Sequence, residues 1–221
     1  MSDSLNAPLE RFEDIAGEVQ TFTFLPRATE LQAAACTRIQ QFLEVLAENK
    51  TSCILRGDEE CANTILAMEL SLRTVLHEIQ MWIDLKHDAP EAAWDHLVSA
   101  QYACEGAIAV RRQMGTDSAG PENLLNKLLI IERFVFPPQV FNSVGGTARR
   151  RDCSICGDSY DDCGHIKGRA YMGTICHTIV CEMDLQEVSI VTDPADKRCR
   201  ITHFSDQGKM RNKMTWRLED R

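Results

Sequence analysis

Four cysteines and one histidine are concentrated in a short stretch near the three-quarter mark of the chain. They are Cys153, Cys156, Cys163, His165 and Cys176. The Cys-x2-Cys spacing lets two thiolates converge on one ion while the backbone amides of the turn point at the sulfur atoms. Thiolate and imidazole groups at tetrahedral geometry are the ligands that zinc prefers. The stretch therefore predicts a bound Zn2+ ion, around which a small fold can form.

Four of these five residues would complete the tetrahedral coordination shell of the zinc ion. Cys153 and Cys156 supply one pair, and Cys163 with His165 supplies the second, because residues two apart face the same side of an extended segment. Cys176 is the alternative to His165 as the fourth ligand. A shell of three cysteines and one histidine leaves no open position, so we expect a structural metal that stabilises the fold.

The cysteine stretch also separates two patterns of hydrophobicity. Before it, apolar residues recur every three or four positions and predict four helices, whereas after it the pattern alternates as in β-strands. We predict an α+β protein, with an antiparallel α-helical bundle followed by a small antiparallel β module built on a zinc knuckle. The predicted parts are a helical bundle over residues 1–141, a linker over 142–152 and a zinc-binding β module over 153–221. Within the first part, residues 1–26 are expected to be a loosely ordered lead-in with a short strand at 18–25, and the first helix is expected to begin at Pro26.

The formal net charge of -9 is unevenly distributed along the chain. Residues 1–148 hold 11 of the 24 basic and 21 of the 33 acidic side chains, so the helical part is acidic and the rest is nearly neutral. An acidic surface disfavours polyanions. Nucleic acid would therefore have to use Arg149–Arg151 and the basic C-terminal strands around Lys209, Arg211, Lys213 and Arg217.

The location expected from the sequence is the cytoplasm. No apolar run reaches the length of about 20 residues that crosses a bilayer, and the N-terminus lacks the basic and apolar regions of a signal peptide. We therefore expect the ten cysteines to be reduced, with Cys36, Cys61 and Cys104 acting as small buried apolar residues.

Residues 187–196 read Glu-Val-Ser-Ile-Val-Thr-Asp-Pro-Ala-Asp. This stretch resembles the Glu-Val-Ser-Leu-Val-x-x-Pro-Ala-Asn-Pro segment of tailed-phage prohead proteases, and the preceding pattern from Cys163 to Cys176 accompanies it in some cysteine-bearing relatives. The resemblance implies a serine nucleophile at Ser189 with an upstream histidine as its base. Asp196 replaces the usual asparagine and His165 is better used on metal, so we interpret the likeness as a shared β-unit and keep a degenerate serine hydrolase as an alternative.

Known catalytic patterns are otherwise missing from the sequence. It contains no His-Glu-x-x-His pair, and His165 is not followed by the glutamate of a zinc deaminase. The leading expectation is a non-catalytic, zinc-stabilised protein for interaction or assembly, with a protein partner or a second copy and no evident small-molecule substrate. The alternative that uses nucleic acid would depend on Arg149–Arg151.

Overall fold

Helices form the first two thirds of the chain and strands form the last third. The computed structural model describes residues 6–25 and 27–220. The helices are α1 (Asn6–Gln20), α2 (Thr29–Leu55), α3 (Glu59–Lys86), α4 (Pro90–Gln113) and α5 (Ala119–Val135). The strands are β1 (Phe141–Cys153), β2 (Ala170–Tyr171), β3 (Thr174–Ile175), β4 (Thr178–Val191), β5 (His203–Asp206), β6 (Lys209–Asn212) and β7 (Leu218–Glu219). The predicted α+β class is confirmed.

Helix α1 occupies the segment where a loose lead-in and a short strand were predicted, so that prediction is wrong. Phe12, Ile15 and Val19 recur at helical spacing and are buried against α2 and α3. Their burial gives the helix its stability, because a helix of this length is marginal in water without packing. Pro26, the predicted start of the next helix, lies outside the described residues, and α2 begins at Thr29.

The helical core is centred on α3, which packs against α2 on one side and α4 on the other. Helix α3 starts after Asp58, whose carboxylate accepts a hydrogen bond of 3.0 Å from the Cys61 backbone N–H. Along α4 the fully buried residues that face α3 include Ala93, Ala100 and Ala107. Such small side chains let two helix backbones approach closely.

A disulfide bond between Cys53 and Cys61 closes the turn from α2 to α3. The two Cα atoms lie 5.8 Å apart, and both residues are buried. The expectation that all ten cysteines are reduced is therefore wrong for this pair, whereas Cys36 and Cys104 are buried thiols as predicted. No helix in the described part of the chain is long and apolar enough to cross a membrane.

The strands form three small antiparallel sheets. Strand β1 pairs with β4 in a long two-stranded ribbon, β2 pairs with β3, and β5, β6 and β7 form the third sheet. The residues predicted as a linker, 142–152, thus belong to a strand, because their pairing partner lies far downstream at residues 178–191. Within this strand, Gly145 and Gly146 allow the two strands of the ribbon to approach closely.

Candidate metal centre

Four of the five predicted ligands lie together at the end of β1. The donor atoms of Cys153, Cys156, Cys163 and His165 are all within 4.8 Å of one another. These residues could hold a metal ion, and their soft thiolate and imidazole donors are those of a tetrahedral site. The structure therefore brings together the four residues that the spacing argument chose.

A tight turn brings the first two cysteines together. The Gly157 N–H donates to the Cys153 carbonyl at 2.9 Å, and the Ile155 N–H points at the Cys153 Sγ at 3.4 Å. Gly157 has a φ of 78°, a conformation that glycine adopts without strain. The turn therefore has the knuckle geometry in which backbone amides stabilise a thiolate.

The segment that carries His165 is held by two tyrosines. The Tyr171 hydroxyl accepts a hydrogen bond from the Ile166 N–H, and the Tyr160 hydroxyl accepts one from the Lys167 N–H, both at 2.9 Å. The Tyr171 ring also packs edge-on against the imidazole, with ring centroids 4.7 Å apart. His165 Nδ1 is buried and has no hydrogen-bond partner in the described structure, which is what a ring nitrogen kept for a metal ion would show.

Cys176 lies beside the cluster without belonging to the group of four. Its Sγ is 3.8 Å from that of Cys153, and the residue is fully buried. Burial and the neighbouring Cys153 raise the pKa of the Cys176 thiol. The structure thus brings all five predicted residues together, and the choice between His165 and Cys176 as fourth ligand stays a prediction.

The thiols of the cluster differ in their tendency to ionise. Burial opposes ionisation of Cys153, but hydrogen bonds from the N–H groups of Cys156 and Ile155 and from neighbouring thiols lower its pKa to about 6. The Asp158 N–H favours the thiolate of Cys156, yet desolvation and Cys153 raise the pKa of Cys156 to about 11. One thiolate forms readily here, and a cation is needed before several can coexist.

The cluster is fastened to the helices through the β2–β3 hairpin. Gln113 at the end of α4 accepts from the Ala170 N–H at 2.7 Å and donates to the Ala170 carbonyl at 2.8 Å. Asn63 in α3 accepts from the Gly173 N–H at 2.8 Å. Gly173 has a φ of 76°, and a Cβ there would lie 2.8 Å from the Lys50 side chain. This docking holds the predicted β module against the helical part.

The basic residues proposed for nucleic acid are engaged within the protein. Arg149 pairs with Asp184, Arg150 with Asp152 and Arg151 with Asp161. Among the C-terminal basic residues, three form similar pairs: Lys209 with Asp220, Arg211 with Asp206 and Arg217 with Asp88. Such pairing reduces the positive charge that the surface presents to a polyanion.

Ser189, the residue singled out by the family resemblance, lies in β4 directly opposite Ser143 of β1. His165 lies in the metal cluster, and Ser189 has no hydrogen bond to a histidine within residues 6–25 and 27–220. The arrangement offers no base for a serine nucleophile in this conformation.

Sequence reasoning missed two polar groups that arise where helices meet. His77 of α3 and His96 of α4 stack with their Nδ1 atoms 3.1 Å apart, and His96 Nε2 lies 3.5 Å from Asp84. In the second group, Lys127 of α5 reaches the fully buried carboxylate of Glu78 in α3 at 2.5 Å. Neither group has a local sequence signal, because each combines residues from different elements.

A cavity of about 390 Å³ lies between α1, α3 and the end of α4, away from the cysteine cluster. Its walls are mainly apolar and include Phe12, Met68 and Met114, with Arg111 as the one cation. Arg111 also donates to the Asp117 carbonyl at 3.0 Å. Asp58, Glu60 and Thr64 are among the polar residues of the cavity lining.

Comparisons of the chain with models of protein families, with curated proteins and with solved structures gave no match.

Proposed function

We propose that this chain is a non-catalytic interaction or assembly protein whose C-terminal part is held in shape by a structural zinc ion. The observation that carries the proposal is the convergence of Cys153, Cys156, Cys163 and His165 within 4.8 Å. Bound zinc would supply charge neutralisation and tetrahedral cross-linking, which a part with so little apolar core requires.

Zinc fits this donor set better than the other common metal ions. Calcium and magnesium prefer oxygen ligands, whereas three sulfurs and one imidazole nitrogen suit zinc. We infer His165 as the fourth ligand in preference to Cys176, because its buried Nδ1 would otherwise lack any partner. Leaving such a group unsatisfied costs about 1–3 kcal/mol.

A closed shell favours a structural over a catalytic role. With four protein ligands in place, no coordination position is left for water or substrate. The pairing of Arg149, Arg150 and Arg151 with aspartates likewise argues against a surface for nucleic acid. Interaction with protein is therefore the function that the surface and the site support best.

Metal analysis of the purified protein tests the zinc site. We expect one zinc per chain, loss of zinc in Cys156→Ser and in His165→Ala, and full zinc content in the control Cys181→Ser, which changes an exposed cysteine outside the cluster. Cobalt substituted for zinc should give the absorption of a tetrahedral thiolate site.

Two results would contradict this assignment. Protein that folds without stoichiometric metal would remove the zinc site altogether. Zinc that is lost in Cys176→Ser and retained in His165→Ala would instead replace His165 by Cys176 in the shell.

A further inference from the structure

The β1–β4 ribbon has two chemically different faces. In an antiparallel pair, residues directly opposite each other project to the same side. One face carries the pairs Ser143–Ser189, Gly145–Glu187 and Thr147–Asp184, which are polar. The other carries Val144–Val188, Gly146–Leu185, Ala148–Met183 and Asn142–Ile190, so it is apolar except for Asn142. This second set is the apolar face.

The ribbon meets the helical part only where it begins, at the first pairs of the polar face. Phe141 and Val191, which begin this face, pack against the helical core, and the Phe141 ring lies 6.2 Å from that of Trp94. Ser143 and Ser189, the next pair, are partly buried. Beyond these pairs the ribbon extends away from the helices, and residues of both its faces are largely exposed.

Solvent reaches most of the apolar face. The exposed fractions are 53% for Val144, 40% for Met183, 68% for Leu185, 69% for Val188 and 72% for Ile190. A two-stranded ribbon by itself is marginally stable in water, and a contiguous exposed apolar patch marks an interaction site. An apolar partner surface is the one that would best cover this face.

We propose that the apolar face is the interface of a symmetric dimer, in which two ribbons pack face to face. This inference rests on the proposed function as a protein-interaction protein and names the partner as a second copy of the chain. Two such ribbons would form a small two-layer sandwich with a core about 10 Å thick. A two-fold axis would match each patch with itself.

Charge and area both favour a second copy. The apolar face carries no acidic side chain, so its apposition avoids direct repulsion between two chains of net charge -9. The five exposed apolar residues present on the order of 500 Å² per copy, so a dimer would bury at most about 1,000 Å², the size of a weak, reversible interface. We therefore expect a reversible dimer that forms with rising protein concentration.

Salt distinguishes this partner from nucleic acid. Raising the ionic strength screens the repulsion between two acidic chains and should strengthen the dimer. Binding of nucleic acid would weaken under the same change, because it depends on the release of counterions.

Sedimentation velocity from micromolar to submillimolar protein tests the dimer. The wild-type chain should move from monomer to dimer, and Leu185→Glu and Val188→Glu should each raise the dissociation constant at least tenfold, because each places an unpaired charge in an apolar contact. The matched control Thr147→Glu adds the same charge to the polar face and should dimerise like the wild type.

Metal content and circular dichroism measured on each variant show whether it is folded, and Val188→Ser serves if a glutamate variant does not fold. A metal-loaded wild-type protein that stays monomeric overturns the dimer and leaves the proposed zinc module intact. Dimerisation that persists unchanged in both glutamate variants also overturns it. Metal-free but dimeric protein would instead contradict the zinc module alone.

Discussion

The pKa of the buried Glu78 carboxylate depends on its ion pair with Lys127. Burial raises the pKa of Glu78 above its ordinary value of 4.5, and Lys127, 2.5 Å away, offsets part of that rise. Because the unfolded chain ionises first, the stability associated with this group is fully present below 4.5 and is lost as the pH rises through the folded pKa.

The substitution Lys127→Met should increase the stability that is lost when Glu78 ionises. It leaves a buried carboxylate without its cation, so we expect the free energy of unfolding to fall by about 3 kcal/mol near neutral pH and by less in acid. Urea denaturation across a pH series measures the effect. Adding Glu78→Gln to the same chain should restore most of the stability, and a Lys127→Met protein as stable as wild type in alkaline solution would refute the prediction.

His77 should make the free energy of unfolding depend on pH in the opposite direction. Burial, then the neighbouring charges of His96, Arg73 and Arg198, lower its pKa from 6.5 to about 4. Between these values the unfolded chain holds a proton that the folded chain does not, so stability falls as the pH drops from 6.5 to about 4.

We expect the substitution His77→Gln to flatten the stability profile in this range. Thermal denaturation at successive pH values measures the slope, with His87→Gln, at an exposed residue, as the control. An unchanged slope in His77→Gln would assign the acid sensitivity to other groups.

Among the secondary-structure elements, the ribbon is the one most sensitive to a small change. A Cβ at Gly146 would lie 2.3 Å from the Asp184 carbonyl oxygen of the partner strand, whereas one at Gly120 in α5 would meet nothing within 4 Å. We expect Gly146→Ala to destabilise the ribbon by roughly 1–3 kcal/mol. Gly120→Ala should stabilise its helix by up to about 1 kcal/mol. Hydrogen exchange of the β1 and β4 amides measures the first effect, and equal protection in Gly146→Ala and wild type would contradict it.

The elements that the sequence predicted are those stabilised by nearby residues. Helices α2 to α5 follow from the spacing of apolar side chains, and the Cys153–Cys156 knuckle follows from a local turn. Strand β1 was mistaken for a linker because it pairs with residues far downstream, and a glycine pair gives no sign of such pairing. The His77–His96 contact was equally hidden, because it depends on how two helices face each other.

Across the whole molecule, the helical part and the metal module rely on different sources of stability. The helices bury large apolar clusters of their own, which include Ile39, Leu72 and Leu97. The module has few fully buried side chains, among them Cys153, Ala170 and Cys176. Removal of the proposed zinc ion should therefore loosen the module and leave the helices folded.

Hydrogen exchange with and without a chelator tests this difference. We expect the amides of residues 141–219 to lose protection when the metal is removed, while those of α2 to α4 keep theirs, and added zinc should restore the original pattern. Uniform loss across the chain would show that the two parts unfold together. Unchanged exchange would show that the ion is dispensable.

The cysteine knuckle lies at the junction between the two strands of the ribbon, with Cys153 paired to Thr178. The proposed ion would hold the pairing at this end of the ribbon, while Phe141 and Val191 hold the other end against the helical core. Loss of the ion would free the pairing at the metal end, and a shift of one residue in the pairing would move Val188 to the face that Ser189 occupies. The metal would then decide which surface the chain offers to a second copy, although it lies well away from that contact.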